Sequence, residues 1–110
     1  PMLDARRMEV YAAIYDAEGQ EVGPTRAEVI TAESFSEWAA KGPVHLLGPG
    51  AEKCRELLTH PNFRYHPDIV PSARELGPLA ARRYKEGQVE DLAYFEPFYL
   101  KDFIGAKKTP

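Results

Sequence analysis

The segment from Glu9 to Asp16 constrains the fold most, because it alternates like a β-strand and yet is apolar on both faces. The two apolar faces consist of Val10, Ala12 and Ile14 on one side and of Tyr11, Ala13 and Tyr15 on the other. Successive side chains of a strand point to opposite faces, so neither face is suited to water. The pattern therefore predicts a central strand that is covered on two sides.

The segments on either side of this strand favour an antiparallel meander. The polar run from Asp16 to Gly19 predicts a turn, since its glycine can adopt a positive φ. The chain then returns as a strand through Val22 to Ile30, and the short segment Met2-Leu3 forms the first hairpin with the central strand. Three consecutive strands are the predicted result.

From residue 31 onward, helical periodicity alternates with short strands. The predicted elements are a helix from Thr31 to Gly42, a strand from Val44 to Leu47, a helix over residues 51–58, an edge strand from Phe63 to Tyr65 and a helix from Ser72 to Gly87. The apolar stripes of the three helices are Phe35, Trp38 and Ala39; Ala51, Cys54, Leu57 and Leu58; and Leu76, Leu79, Ala80 and Tyr84. The order βββαβαβα predicts an α/β fold with a mixed sheet of about five strands and helices packed on it.

Composition narrows the classes of protein further. The chain has 110 residues, of which 44% are hydrophobic and 28% charged, so residues 1–110 are expected to form a single domain. With 14 basic and 17 acidic residues, the net charge of -3 leaves no surplus of positive charge for binding nucleic acid. No segment approaches the roughly 20 apolar residues of a membrane span, and the single cysteine fits a reducing compartment. We expect a cytoplasmic protein that makes no contact with a membrane.

The histidines and the cysteine are interpreted as structural residues. A metal site needs two or more convergent ligands, whereas His45 falls in a strand and His60 and His66 flank a short loop. Each histidine is expected to be solvated or to cap a turn, so no metal site is predicted. Cys54 lies on an apolar helical stripe and is expected to pack in the core rather than to act as a nucleophile.

Two loops are candidates for binding a phosphate or a nucleotide. Gly48-Pro49-Gly50-Ala51 joins a strand to a helix, a geometry that presents backbone N–H groups to an anion and equally suits a tight structural turn. Asp4-Ala5-Arg6-Arg7 joins the first two strands, where an acidic residue could hold a magnesium-bound water and an arginine could meet a phosphate. Because this turn contains no glycine, ATP hydrolysis by this chain is not expected.

Five short motifs are spread, in order, along nearly the whole length of the chain. They are Leu3-Asp4-Ala5-Arg6, Glu9-Val10-Tyr11, Gly48-Pro49-Gly50-Ala51, Pro71-Ser72-Ala73 and Glu96-Pro97-Phe98-Tyr99-Leu100-Lys101. Together they resemble the C-terminal lobe of the TsaB (YeaZ) family of glycoprotease-like proteins. The resemblance implies a ribonuclease H-like lobe of the actin-like ATPase superfamily, and it makes residues 1–110 the second lobe of a longer two-lobe protein. Two positions depart from the family's pattern, Met8, where glycine is frequent, and Lys101, where arginine is frequent.

The function that this resemblance implies is that of a non-catalytic subunit. Family members support TsaD, together with TsaE and TsaC, in building threonylcarbamoyladenosine next to the tRNA anticodon. The expected partners are TsaD and TsaE, bound by the full-length protein chiefly through its first lobe, and a second copy of the protein in a homodimer. We expect only indirect contact with tRNA, no catalytic residue and no cofactor for this chain.

The resemblance also points to the residues of the cleft loops. In active members of the superfamily, the turn after the first strand of this lobe is glycine-rich and binds phosphate. Asp4 keeps the acidic residue of that turn, while the residues that follow it lack the flexibility of glycine. The candidate cofactor-binding residues of these degenerate loops are therefore Asp4, Arg6, Gly48 and Gly50. The alternative is an actin-like kinase or nucleotide hydrolase whose phosphate loops lie partly in another lobe.

Overall fold

The computed structural model describes residues 1–101 and contains a small mixed α/β fold. The chain divides into two compact units, the first spanning Pro1–Pro71 and the second beginning at Ser72. Within the described residues, the elements follow the order βββαβ, a short 3₁₀ helix, and then βα. The mixed α/β class predicted from the sequence is confirmed, while the extent of the single predicted domain stays a prediction.

The first unit begins with a three-stranded antiparallel sheet in the order β1-β2-β3. Its strands are β1 (Met2–Asp4), β2 (Glu9–Tyr15) and β3 (Glu21–Val29). The meander and the central position of β2 are thereby confirmed. Val10 and Ala12 are buried on one face of β2, whereas Tyr15 on the other face remains 50% exposed. The second face is thus covered less than the sequence predicts.

A two-stranded parallel sheet completes the strands of this unit. It consists of β4 (Val44–Leu47) and β5 (Phe63–His66), paired in register from Val44↔Phe63 to Leu47↔His66. Both strands are predicted from the sequence, but they form a sheet of their own and do not join the first three strands in the single mixed sheet of about five strands that the sequence predicts. The hydrophobic core combines side chains from both sheets and from the connections between them: Met2, Val10, Ala12, Ile30, Ala39, Leu46, Ala51, Cys54, Leu58 and Phe63.

The first two predicted helices are shorter than their patterns indicate. The first, α1, runs over Ser36–Lys41 because Phe35 adopts a left-handed conformation with φ 59° and separates it from the preceding turn. Thr31 is therefore not the N-cap of this helix; it accepts the N–H of Ser34 in that earlier turn. The second predicted helix is a 3₁₀ helix over Glu52–Cys54. Its predicted stripe is largely confirmed, since Ala51, Cys54 and Leu58 are buried and Leu57 is half-buried.

The described part of the second unit contains one helix, α2, which spans Ala73–Lys85. Its start is predicted correctly, because the Ser72 side chain accepts the N–H of Arg74 at 3.2 Å as an N-cap. The helix continues through Pro78. Leu76, Leu79 and Tyr84 of its apolar stripe are exposed by 61%, 52% and 76%. Among residues 1–101, no helix is long and apolar enough to cross a membrane.

Candidate functional site

The turn between β1 and β2 carries Asp4 and Arg6, two of the four predicted site residues. Its backbone is closed by two hydrogen bonds of 3.0 Å, from Ala5 N–H to Glu9 O and from Glu9 N–H to Arg6 O. The Asp4 carboxylate folds back over the turn, where its Oδ1 accepts the N–H of Arg6 at 2.9 Å. The acidic group is thus part of the turn's own hydrogen-bond network.

Two consecutive arginines in this turn adopt left-handed backbone conformations. The φ angles of Arg6 and Arg7 are 75° and 51°, values that cost a residue with a Cβ atom roughly 1 kcal/mol or more. Such a turn persists only where other contacts compensate for this cost. The sequence indicates a rigid turn without glycine, but it does not indicate what holds the turn in place.

The side chain of Lys53 provides that support. Lys53 lies in the 3₁₀ helix, and its Nζ donates to Asp4 Oδ1, to Arg7 O at 2.7 Å and to Glu9 O at 2.7 Å. An ammonium group has three N–H donors, and here each has an acceptor in the β1–β2 turn. The side chain is only 23% exposed. Lys53 therefore clamps the turn from a position 44 to 49 residues further along the chain.

Gly48 and Gly50 bring Lys53 close to this turn, because they allow the loop after β4 to pack tightly against β1. A Cβ atom at Gly48 would lie 2.3 Å from Met2 O, and one at Gly50 would lie 2.8 Å from the carbonyl carbon of Leu3. Gly50 N–H also donates to Met2 O at 3.0 Å. The two glycines are thus explained by close packing of one backbone on another.

The four predicted site residues therefore come together, although not as a phosphate cradle. Asp4 and Arg6 lie in the turn after β1, and Gly48 and Gly50 lie beside β1. In the two candidate loops, backbone N–H groups that a phosphate would use already have acceptors within the chain: those of Ala5, Arg6, Gly50 and Ala51. The arrangement favours rigidity over anion binding.

The electrostatics of the cluster agree with this interpretation. The Lys53 ammonium, followed by the N–H of Arg6, holds the pKa of the Asp4 carboxyl below its usual range. The carboxylate therefore stays ionised and paired at neutral pH. The Lys53 ammonium thus already pairs with the carboxylate that the sequence offers as a ligand for a magnesium-bound water.

A small cavity of about 330 Å³ lies beside the glycine loop. Arg55 and Glu52 form a double hydrogen bond across its wall, at 2.9 and 3.0 Å, and the Arg55 guanidinium stacks 4.4 Å from the centre of the Tyr65 ring. The pairing lowers the pKa of Glu52 and raises that of Arg55. Both charges are exposed, so the pair adds little to stability.

A larger cavity, of about 750 Å³, is lined by none of the four predicted residues. It is lined by the end of β2, by Phe35 and Trp38 at α1, and by β4. Its walls are mainly apolar, and neither Asp4 nor Lys53 lines it. Cavity size alone therefore does not identify the chemically interesting part of this unit.

Cys54 occupies the core position that the sequence predicts. It is fully buried, and its Sγ donates to Gly50 O at 3.4 Å. Burial raises the pKa of the thiol, so that it remains protonated at neutral pH. A buried, protonated thiol is a poor nucleophile.

The three histidines divide into one that caps a turn and two that meet. The Nδ1 atom of His60 accepts the N–H of Asn62 at 3.0 Å, which fits its predicted capping role. His45 and His66, in contrast, lie on neighbouring strands with 2.7 Å between His45 Nδ1 and His66 Nε2. Their separation by 21 residues explains why the sequence pattern does not indicate this pairing.

Lys53 is the functional residue of this cluster that sequence reasoning misses. Helical periodicity assigns it to a face away from the apolar stripe, which is correct but does not identify its acceptors. The sequence feature that could identify Lys53 is the glycine pair just before it, Gly48 and Gly50. Because glycines allow this loop to pack closely on β1, the residues that follow them lie near the end of that strand.

Comparison with protein-family models and with curated proteins finds no match to this chain. The family resemblance therefore depends on the motifs given above.

Proposed function

We propose that this chain is the C-terminal lobe of a TsaB-family protein and serves as a non-catalytic subunit that supports TsaD. The complete protein would assist the threonylcarbamoylation of adenosine next to the tRNA anticodon. The order of the five motifs along the chain supports this proposal. Its partners would be TsaD and TsaE, with the principal contacts made by the first lobe.

The fold we propose for the chain is a ribonuclease H-like lobe of the actin-like superfamily. Two observations support it. The elements follow the order of three antiparallel strands, helix, strand, helical turn and strand, and the loop after β4 is hydrogen-bonded to β1 through Gly50 N–H and Met2 O. β4 and β5 form a sheet separate from β1-β2-β3, and the loop contact is what supports their belonging to one layer.

The observation that best supports a non-catalytic lobe is the set of hydrogen bonds from Lys53 to the β1–β2 turn. In an active lobe of this superfamily, the corresponding turn receives phosphate through a flexible glycine-rich backbone. Here the turn carboxylate and two turn carbonyls are bound by a lysine of the same chain. A loop that satisfies its own polar groups in this way supports a structural role and not phosphoryl transfer.

The apolar stripe of α2, which contains Leu76, Leu79 and Tyr84, is not buried by the described residues of its own unit. Clustered apolar side chains are usually covered by another surface. In the proposed protein, loss of the first lobe would also uncover apolar surface, so a homodimer of the isolated chain would be incidental.

The first test captures the native protein from its source cells with an antibody against this chain and identifies its partners by mass spectrometry. We expect a product roughly twice the length of this chain, together with TsaD. A product without TsaD would overturn the proposed partnership.

The second test separates the subunit from an enzyme. Cells whose only copy carries Asp4→Asn should retain threonylcarbamoyladenosine in their tRNA to within about twofold, because the carboxylate has no chemical step to perform. Asp16→Asn, which alters the carboxylate of the β2–β3 turn, is the matched control. A loss of about 100-fold for Asp4→Asn alone, with ATP turnover by the full-length wild type, would favour the kinase or hydrolase instead.

A further inference from the structure

The strand pair β4–β5 brings two imidazole rings together on its outward face. His45 pairs with Arg64 and Leu47 pairs with His66 in the parallel register. Because directly paired residues and residues two apart share a face, both histidines project from the same side of the sheet. The ring centres are 4.9 Å apart, and His45 Nδ1 lies 2.7 Å from His66 Nε2.

We propose that His45 and His66 form a two-imidazole binding site for a divalent transition metal ion. Imidazole nitrogen is a preferred ligand of Cu²⁺, Ni²⁺ and Zn²⁺. One of the two facing nitrogens carries the proton that they share, and the metal ion would displace this proton to solvent while binding both lone pairs. The proposal does not depend on the function proposed above.

The two rings would have to turn to hold an ion. The observed 2.7 Å is a hydrogen-bond distance, and with ring centres 4.9 Å apart the two nitrogens face each other. With metal–nitrogen bonds of about 2.0–2.1 Å, two ligands at a right angle lie about 2.9 Å apart, and two tetrahedral ligands lie about 3.3 Å apart. Rotation of the two side chains would make both lone pairs converge on one ion. We expect Cu²⁺ to bind more tightly than Ni²⁺ or Zn²⁺, which is the general order for nitrogen ligands.

Two features limit the affinity of the site. Among residues 1–101, no group of three or more His, Cys, Asp or Glu side chains could hold a metal ion, so water would complete the coordination. Arg64 lies opposite His45 on the same face of the strand pair, and its positive charge opposes a bound cation. Removing this charge should strengthen binding about two- to fivefold, because solvent screens the interaction at an exposed site.

The test titrates the 110-residue chain with Cu²⁺, Ni²⁺ and Zn²⁺ separately and follows binding by calorimetry. His45→Ala and His66→Ala should each weaken Cu²⁺ binding at least tenfold, whereas His60→Ala should leave it unchanged. His60 is the matched control, since it is the third histidine and its imidazole faces a backbone N–H. Circular dichroism of each variant establishes that it is folded.

Two further measurements make the outcome decisive. Electron paramagnetic resonance of the Cu²⁺ complex should show two coordinated nitrogens in the wild type and one in His66→Gln, and Arg64→Ala should bind more tightly. Equal affinity in all three histidine variants would overturn the proposal. So would an absence of Cu²⁺ binding by the folded wild type at millimolar metal, or a loss of binding in His60→Ala alone.

Discussion

The two turns of the three-stranded sheet are built in opposite ways. In the β2–β3 turn, Asp16 Oδ1 accepts the N–H groups of Glu18 and Gln20 at 3.0 and 2.9 Å, and Gly19 takes the left-handed position with φ 80°. This turn is complete within five residues. In the β1–β2 turn, arginines occupy the left-handed positions, and Lys53 holds them from outside the turn.

The difference teaches where local sequence is sufficient to specify structure. An aspartate followed by a glycine carries its own hydrogen bonds and its own conformational freedom, so the β2–β3 turn can form early and alone. The β1–β2 turn is stable only when β4, the loop after it and the 3₁₀ helix are in place, because Lys53 of that helix donates the hydrogen bonds that compensate for the backbone strain of the turn. Rigidity of the second kind makes the turn sensitive to changes far away in the sequence.

The largest expected effect comes from Gly48→Ala. Both Gly48 and Gly19 have positive φ, at 96° and 80°, but only at Gly48 would a Cβ meet backbone, 2.3 Å from Met2 O. We expect Gly48→Ala to lower the free energy of unfolding by about 3 kcal/mol or more, from backbone strain and steric overlap together. Gly19→Ala, the matched control with nothing within 4 Å, should cost only about 1 kcal/mol.

Denaturant unfolding followed by the fluorescence of Trp38, the only tryptophan of the chain, measures both variants. Equal destabilisation would mean that φ alone decides the cost. The close approach of the glycine loop to β1 would then have no role in stability, and the explanation given for Gly48 would be wrong.

Lys53→Met should have a smaller effect that is confined to one turn. Methionine keeps the length of the side chain and removes the three N–H donors, leaving two carbonyls and a carboxylate without this partner. We expect a loss of about 1–2 kcal/mol in the free energy of unfolding. Backbone amide exchange should quicken in the β1–β2 turn and stay unchanged in the β2–β3 turn.

Lys85→Met serves as the control for removing a positive charge, because Lys85 lies at the exposed end of α2. If the two variants had equal stability and the amides of both sheet turns exchanged alike, the clamp would contribute nothing. The two turns would then not differ in the way described.

The contrast between the turns also explains what could be predicted from the sequence. The meander, the two parallel strands, the buried position of Cys54 and the Ser72 cap all follow from patterns within a few residues. The early end of the second helix, the left-handed Phe35 and the pairing of Lys53 with Asp4 depend on tertiary contacts. Asp4, Arg6, Gly48 and Gly50 could be found as a group from their motifs, but their packed arrangement could not.

The smallest predicted effect concerns pH and isolates the electrostatic part of the clamp. The pKa of Asp4 in the folded protein is lowered, chiefly by the hydrogen bond from Lys53. Its contribution to stability is therefore complete above the usual aspartate pKa and is lost as the pH falls through the lowered, folded-state pKa. Asp4→Asn should remove this acid-dependent loss, while Lys53→Met should return the pKa of Asp4 towards its usual range.

Carboxyl carbon NMR titration measures the shift directly, and Glu52 provides an internal control. Its pKa is lowered by Arg55 instead of Lys53, so it should titrate alike in the wild type and in Lys53→Met. An unchanged Asp4 titration in that variant would show that the ammonium does not stabilise the ionised carboxylate, and the clamp would then act only through the two carbonyl groups that Lys53 Nζ contacts.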